Sequence, residues 1–302
     1  GNRSELIWEG TVDYEELPKL INPASGWLYN ANNEPYTAAG PGSDLSPDDF
    51  SPVLGVERKQ TNRSRRAWKL LSEANLLDRA NLERIKYDTV YEREGYVGQL
   101  WDGLEALDLG IPTMKEGPSL HKARDLLLEW DFTADNEGPA DALALLIIRD
   151  FMSAEYQNKN EQPDVREHLE KATNHLMEHF GRLDPPMSDL LRLRQGDVDL
   201  PLDGGSDTLR ASTTWRVDDD GRLSLVHGDS FIQWVEWPSG ENAGERVSSR
   251  SIQPFGSAIT RPDSPHHTDQ MQLFVDYKLK PVNFWREDAV ANAKRRYTVV
   301  SY

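Results

Sequence analysis

The residues best suited to chemistry near the start of the chain are the three asparagines of the run Asn30-Ala31-Asn32-Asn33. An asparagine amide is a neutral donor that can stabilise a developing oxyanion without bringing in a charge that must be desolvated. Asparagine also suits turns, because its short side chain hydrogen-bonds to the local backbone and tolerates left-handed conformations. Spacing alone favours the turn and leaves the oxyanion role as the second interpretation.

A second pattern with chemical potential is the run HLMEH at residues 175–179, which matches the HxxEH signature of inverted zincins. His175 and His179 are four residues apart, so on a helix they share one face and can bind a zinc ion, with Glu178 as general base. The competing interpretation is an amphipathic helix with the histidines at the margin of its core stripe. No acidic ligand stands out downstream, so the amphipathic helix is favoured.

Three other polar clusters are better explained by local structure. The run HHTD at residues 266–269 suits a metal or acid–base site, but it follows a Ser-Pro turn that leads into a helix. The run DDDG at residues 218–221 lacks the ligand spacing of a calcium loop and predicts a solvated turn. Asp44, Asp48 and Asp49 suit a hard cation or the capping of a turn, and capping is favoured.

The main concentration of positive charge comprises Arg58, Lys59, Arg63, Arg65 and Arg66. Cations at the start of a helix run against the helix macrodipole and therefore need a local reason. Pairing with buried carboxylates, orientation of a substrate group and simple balancing of surface charge are three explanations that spacing leaves open. The sequence contains no GxSxG elbow, Walker loop or dinucleotide-binding fingerprint.

The overall composition excludes several classes of function. The 302 residues include 34 Lys and Arg against 51 Asp and Glu, a formal charge of −17. Nucleic acids and anionic membrane surfaces attract clustered cations, so neither is an expected partner. The absence of cysteine removes disulfides and thiolate chemistry. The longest apolar run, residues 142–148, is too short for a membrane span and predicts a core helix.

The elements that position these residues fall into three segments. Residues 1–58 are rich in Pro, Gly, Asn and Asp, which predicts turns and short strands. Residues 59–185 carry apolar residues at helical spacing, and residues 186–302 shift to strand-like patterns with a hairpin around residues 218–221. This order predicts an α+β fold in which a helical block is inserted between β-rich flanks.

Bounds follow from the same periodicity, with Pro139 near the start of one helix and Gly181 at the end of another. The predicted helices cover residues 63–77, 81–89, 97–107, 119–130, 140–156, 164–180 and 268–276. The predicted strands cover residues 213–217, 223–226, 231–237, 247–252 and 297–302.

Four separated segments carry a resemblance that no short motif provides. They are residues 17–35 (including NPASGWLYNANNEP), 200–209 (LPLDGGSDTL), 228–233 (GDSFIQ) and 264–270 (SPHHTDQ), the last followed by 279–284 (LKPVNF). In this order they resemble the penicillin acylase family of N-terminal-nucleophile hydrolases, and they are more similar to acyl-homoserine-lactone and aculeacin acylases than to penicillin G acylase. The resemblance implies the C-terminal part of a β-chain within a four-layer αββα sandwich.

The resemblance also implies a mechanism and roles for three residues. In the family, a serine exposed by autoproteolysis attacks the amide carbonyl, and its own α-amino group acts as base. Asn32 matches the asparagine of the oxyanion hole, and Arg63 matches an arginine at the start of a helix that orders the nucleophile's surroundings. After a one-residue shift in the alignment, Asp44 matches an aspartate that binds a structural calcium ion, and no other cofactor is implied.

The chain departs from the family pattern at two places, and these departures affect what we expect of its activity. The chain begins at Gly1, which reads as a processing scar, and it lacks the segment that carries the nucleophilic serine; Ser4 is internal and its surroundings do not match. Residues 255–257 (FGS) differ from the Gly-Gln-Ser pattern of relatives. We therefore expect a piece of a longer precursor, inactive alone, whose partners are the α-chain and the N-terminal part of the β-chain.

The implied whole enzyme is a periplasmic or secreted amidohydrolase that acts on small N-acylated compounds of the homoserine-lactone, penicillin or lipopeptide type. Antibiotic metabolism and quorum quenching are the corresponding biological roles. Two alternatives stay open: a non-catalytic remnant or interaction domain of the same fold, and a zinc hydrolase that uses His175, Glu178 and His179.

Overall fold

The computed structural model describes residues 3–7, 10–111, 119–157, 163–214, 216–295 and 297–298. Over these residues helices combine with small sheets, which confirms the predicted α+β class. The chain divides into two compact units: unit 1 is Gly1–Asp184 with Gly204–Ala211, and unit 2 is Pro185–Asp203 with Ser212–Tyr302. The three segments drawn from composition, 1–58, 59–185 and 186–302, stay a prediction.

The first 58 residues correct one expectation, because their described part forms turns and 3₁₀ helices and no strand. Residues 26–30 do alternate in exposure as a strand would: Trp27 and Tyr29 face a cluster of buried apolar side chains, and Leu28 is exposed. The described residues pair no strand with this segment, and prolines begin three of the turns, where they fix φ and lack an N–H for a sheet. The 3₁₀ helices are Ser4–Leu6, Tyr14–Glu16, Pro35–Thr37, Pro47–Asp49 and Pro52–Leu54.

The helices of unit 1 confirm the predicted helical periodicity to within a few residues. Side chains of Thr61, Asp78 and Asp164 cap three of their N-termini, and Gly181 ends the last helix in a left-handed conformation. In the described residues no helix has both the length and the apolar character needed to cross a membrane. The bounds are Asn62–Glu73 (α1), Arg79–Lys86 (α2), Gly95–Ala106 (α3), Ser119–Leu128 (α4), Asp141–Tyr156 (α5) and Val165–Phe180 (α6).

Helix α5 is the centre of the unit 1 core, because residues 141–148 are buried on every side. This explains the near-continuous apolar run, since a helix surrounded by other helices needs no polar face. Helices α3, α4 and α6 all pack against α5.

Among the residues that the structure describes, the strands lie in unit 2 and form three small sheets. Their orders are β2-β1-β5-β4, β3-β6 and β7-β8-β9. The strands are Leu191–Gln195 (β1), Val198–Pro201 (β2), Ser212–Thr213 (β3), Arg216–Val217 (β4), Leu223–Ser224 (β5), His227–Gly228 (β6), Ile232–Glu236 (β7), Ser248–Ile252 (β8) and Lys280–Pro281 (β9). Short helices Met187–Leu190 (α7), Met271–Val275 (α8) and Arg286–Ala291 (α9) accompany them.

The predicted hairpin around residues 218–221 is confirmed, since β4 and β5 pair antiparallel across this turn. The predicted strand at 213–217 instead splits between two sheets, as β3 pairs with β6 and β4 with β5. The predicted helix at 268–276 is shorter, Met271–Val275. Of the last predicted strand, residues 297–298 are not in a strand and residues 299–302 lie outside the described residues.

Candidate functional site

Two of the three asparagines predicted to build a turn do so. Asn30 Oδ1 accepts a hydrogen bond from the backbone N–H of Asn32, and Asn33 Oδ1 accepts one from Ala31, each at 2.8 Å. Asn33 Nδ2 also donates to two backbone carbonyl oxygens at 2.9 Å. The side chains of Asn30 and Asn33 therefore stabilise the loop by binding its backbone, whereas the Asn32 side chain binds outside the loop.

The Asn32 side chain points outward from the loop and contacts Arg63. Its backbone has φ 62°, a left-handed conformation that asparagine tolerates better than most residues. Asn32 Oδ1 accepts a hydrogen bond from Arg63 Nη2 at 3.0 Å. Because a guanidinium group has only donors, the atom facing Arg63 must be the amide oxygen. The donor group Nδ2 then faces away, and within the described part of the chain it has no acceptor.

Arg63 lies in the first turn of α1 and forms an ion pair with a buried carboxylate. Arg63 Nε donates to Asp207 Oδ1 at 3.1 Å, and the Asp207 side chain is only 1% exposed. Burial alone would lower the pKa of Arg63, but the charge of Asp207 raises it. The cation therefore stays charged at all working pH values.

A buried carboxylate partner also explains another member of the basic cluster. The Arg66 guanidinium forms a two-point pair with Asp88, both contacts 2.8 Å long, and donates to Glu92 at 2.8 Å. All three side chains are at least four-fifths buried. Of the explanations left open by the sequence, pairing with buried carboxylates is the one these contacts support for Arg63 and Arg66.

Asp207 is the residue of this site that sequence reasoning missed. Its Oδ1 accepts hydrogen bonds from Arg63 and from the Tyr156 hydroxyl at 2.9 Å. Its Oδ2 accepts the backbone N–H of Asn62 at 2.8 Å and the Tyr96 hydroxyl at 3.2 Å. Asp207 itself has φ 72°. The available signal was its position inside the segment 200–209, in a Gly- and Ser-rich stretch typical of special backbone conformations.

The loop Gly204–Ala211 carries Asp207 into unit 1, although the chain on either side of the loop belongs to unit 2. Close approach of the backbone explains its two glycines: a Cβ at Gly204 would collide with the Arg210 carbonyl, and one at Gly205 with the Tyr91 hydroxyl. That hydroxyl donates to the Ser206 carbonyl at 2.6 Å. The loop is thus fixed by its backbone before Asp207 forms any ionic contact.

Asp44 is surrounded by donors, not by other oxygen ligands. Its Oδ1 accepts the backbone N–H groups of residues 38, 39 and 40 at 2.8, 2.7 and 3.0 Å. Its Oδ2 accepts the Trp68 indole N–H at 2.8 Å. A carboxylate satisfied in this way stabilises the loop without a cation. The calcium expectation stays a prediction, and these contacts do not favour it.

The histidine motifs occupy the places that local structure predicted. The rings of His175 and His179 are 4.7 Å apart on α6, whose Leu169 and Leu176 are buried, as an amphipathic helix requires. In the described ranges no three His, Asp or Glu side chains form a group that could hold a metal ion, so the zinc interpretation lacks a third ligand there. His266 Nδ1 lies 2.7 Å from the Asp269 carboxylate within the turn that precedes α8.

An exposed amide donor, fixed by an arginine that is itself paired with a buried carboxylate, is the kind of preorganised group with which acyl-transfer enzymes stabilise an oxyanion. Residues 1–291 match the family model described as penicillin amidase. Because the match extends over nearly all of the 302 residues, the chain belongs to the penicillin amidase family.

Among solved structures, the chain is similar to a thermostable penicillin G acylase from Alcaligenes faecalis. The two share 13% sequence identity, with a TM-score of 0.49. The match covers 98% of this chain and 60% of that acylase, so the chain spans three fifths of the acylase's length.

Proposed function

We propose that the chain is part of an acylase that hydrolyses the amide bond of N-acylated compounds, with Asn32 as a donor to the oxyanion and Arg63 as the residue that orients it. The observation that carries the proposal is the hydrogen bond between Arg63 Nη2 and Asn32 Oδ1, which leaves Asn32 Nδ2 facing outward as a donor. Membership of the penicillin amidase family supports amide hydrolysis as the reaction.

In the proposed reaction, a serine hydroxyl at the N-terminus of another segment attacks the carbonyl carbon of the substrate amide. The serine's α-amino group takes the hydroxyl proton, and the carbonyl oxygen becomes an oxyanion that accepts a hydrogen bond from Asn32 Nδ2. The C–N bond then breaks, the amine leaves with that proton, and an acyl-enzyme ester remains. A water molecule hydrolyses the ester and releases the carboxylic acid.

The proposal extends to partners, location and substrates. The serine belongs to a segment outside these 302 residues, so this chain is inactive alone and acts together with the α-chain and the N-terminal part of the β-chain. The assembled enzyme works in the periplasm or outside the cell. Its substrates are small N-acylated compounds, and a panel of N-acyl homoserine lactones, penicillins and acylated peptides would rank them.

The test is the removal of the Asn32 donor in the full-length gene product. Asn32→Ala should lower kcat by roughly 10²- to 10³-fold, the usual cost of losing one oxyanion donor, with an unchanged circular dichroism spectrum. Asn32→Asp keeps an oxygen for Arg63 but removes the donor, so it should lose as much. Asn174→Ala, at an exposed position of α6, is the matched control and should keep full activity.

Turnover by Asn32→Ala within about twofold of the parent would show that the oxyanion donor lies elsewhere, since loss of a real donor costs far more. Absence of amidase activity in the full-length protein across the substrate panel would instead support the alternative of a non-catalytic member of the fold.

A further inference from the structure

The loop Gly204–Ala211 carries Asp207, whose buried carboxylate binds Arg63. Arg63 in turn binds Asn32. We infer that Asp207 is a positioning residue of the acylase site: it fixes the Arg63 guanidinium, and Arg63 in turn fixes the direction of the Asn32 amide. This inference rests on the proposed function of Asn32.

The first step is that the Asp207 carboxylate has almost no freedom to move. Each of its oxygens accepts at least two hydrogen bonds, and the donors come from the start of α1, from α3 and from the end of α5. A buried carboxylate that accepts this many hydrogen bonds cannot rotate without leaving buried donors unsatisfied, which is strongly unfavourable.

The second step is that the guanidinium transmits this orientation. The five N–H donors of arginine lie in one plane with fixed angles between them. Once Arg63 Nε is bound to Asp207, the direction of Nη2 is largely determined, and Nη2 is the group that binds Asn32 Oδ1. The Asn32 amide is thus held in the orientation that presents Nδ2 as the outward donor.

The third step separates positioning from simple support of the fold. Asp207 also accepts the N–H of Asn62, the first residue of α1, and therefore contributes to capping this helix. A purely structural role would lower stability and leave the chemical step intact in the molecules that fold. A positioning role must change kcat, and it must do so only while the Asn32 side chain is present.

The experiment is a double-mutant cycle in the full-length gene product. Asp207→Asn should lower kcat by roughly 10- to 100-fold, the cost of misplacing a catalytic group by a fraction of an ångström to an ångström, with KM changed less than threefold. In the Asn32→Ala background the same substitution should have no further effect on kcat. Its matched control is Asp88→Asn, which breaks the pair between Asp88 and Arg66 of the same helix and should lower stability but not kcat.

A second variant covers the case in which Asp207→Asn does not fold. Arg63→Lys keeps a cation for Asp207, but one ammonium group cannot reproduce the rigid bridge to both Asp207 and Asn32. It should fold and lose kcat to a similar degree, and a crystal structure should show the Asn32 amide turned from its present contact.

Each outcome is decisive for the inference. Equal losses from Asp207→Asn in both backgrounds, a loss matched by Asp88→Asn, or full activity in Arg63→Lys would overturn the positioning role while leaving the proposed function of Asn32 standing. An Asn32→Ala variant with parental activity would instead overturn both together.

Discussion

Two arginines, one in each unit, pair with aspartates and are about equally exposed, yet their partners differ in number, in burial and in distance along the sequence. In unit 1, Arg63 pairs with Asp207, 144 positions away in the sequence, whose side chain is 1% exposed. In unit 2, Arg194 pairs with Asp199, Asp218 and Asp220; Asp199 and Asp220 are 42% and 40% exposed, and Asp218 is 10% exposed. The partners of Arg194 lie within 26 positions of it, on β2 and on the hairpin turn between β4 and β5.

The difference shows what each network can accomplish. A buried pair is favourable only when every donor and acceptor is satisfied, so it admits one geometry and can hold a functional side chain in place. An exposed pair is weakened by solvent and by salt, and its side chains can exchange partners at little cost. The Arg63 network therefore suits the positioning of Asn32, whereas the Arg194 network suits the fastening of a hairpin.

The largest expected effect on the free energy of unfolding comes from removing the Asp207 carboxylate from the buried network. Asp207→Ala leaves the Arg63 cation, about three quarters buried, without its carboxylate, together with unsatisfied donors at Asn62 and two tyrosines. We expect the free energy of unfolding to fall by about 3–5 kcal/mol. Urea denaturation followed by circular dichroism measures this change. A loss below about 1 kcal/mol would remove the energetic contrast with the exposed network, where losses of that size are typical.

A smaller effect on the free energy of unfolding is expected at Asp141. This carboxylate is buried like that of Asp207 but has no cationic partner among the described residues, so it shows what burial does alone. Its carboxylate accepts the Trp130 indole N–H at 2.8 Å and the Gly138 N–H at 3.1 Å, and in the described residues no cation pairs with it. Burial raises the pKa of Asp141 from 3.8 to about 6, although these two hydrogen bonds oppose the shift. Between these values the folded state binds more protons than the unfolded state, so stability falls as the pH rises.

Asp141→Asn removes this titration. The difference in unfolding free energy between variant and parent should therefore move in favour of the variant by about 2 kcal/mol from pH 4 to pH 7, most of what the full shift in pKa gives at roughly 1.4 kcal/mol per pKa unit. Denaturation at both pH values measures it, and the difference between pH values cancels the hydrogen bond to Gly138 that the variant loses. A difference independent of pH would mean that Asp141 titrates normally despite its burial.

The sequence predicts the helices well because their signal is local. The apolar spacing of α1 to α6 reports which face is buried, and caps such as Asp164 and Gly181 mark the ends. The same reasoning was wrong for the strands expected in residues 1–58. Residues 26–30 alternate in exposure as a strand would, but a strand also needs a partner strand, which the pattern does not reveal.

The candidate site likewise contains residues that the sequence identified and one that it did not. The residues assigned by resemblance, Asn32 and Arg63, lie 3.0 Å apart at their side chains. Their roles in catalysis stay a prediction. Asp207 could not be found by periodicity, because it is a single aspartate in an irregular loop, and its partner on α1 is 144 positions away. Contacts of this kind are set by tertiary packing, and only the folded chain reveals them.

The smallest effect is expected where the exposed network is broken. The hydrogen bond from Arg194 lowers the pKa of Asp220, yet Asp220→Asn should cost no more than about 1 kcal/mol, because solvent screens the pair and Asp199 and Asp218 still hold the arginine. The cost should shrink further in 1 M NaCl, where the screening length falls to about 3 Å. Urea denaturation of variant and parent at low and high salt measures both expectations. A salt-independent loss of several kcal/mol would mean that this network, despite its exposure, is as restrictive as the one around Asp207.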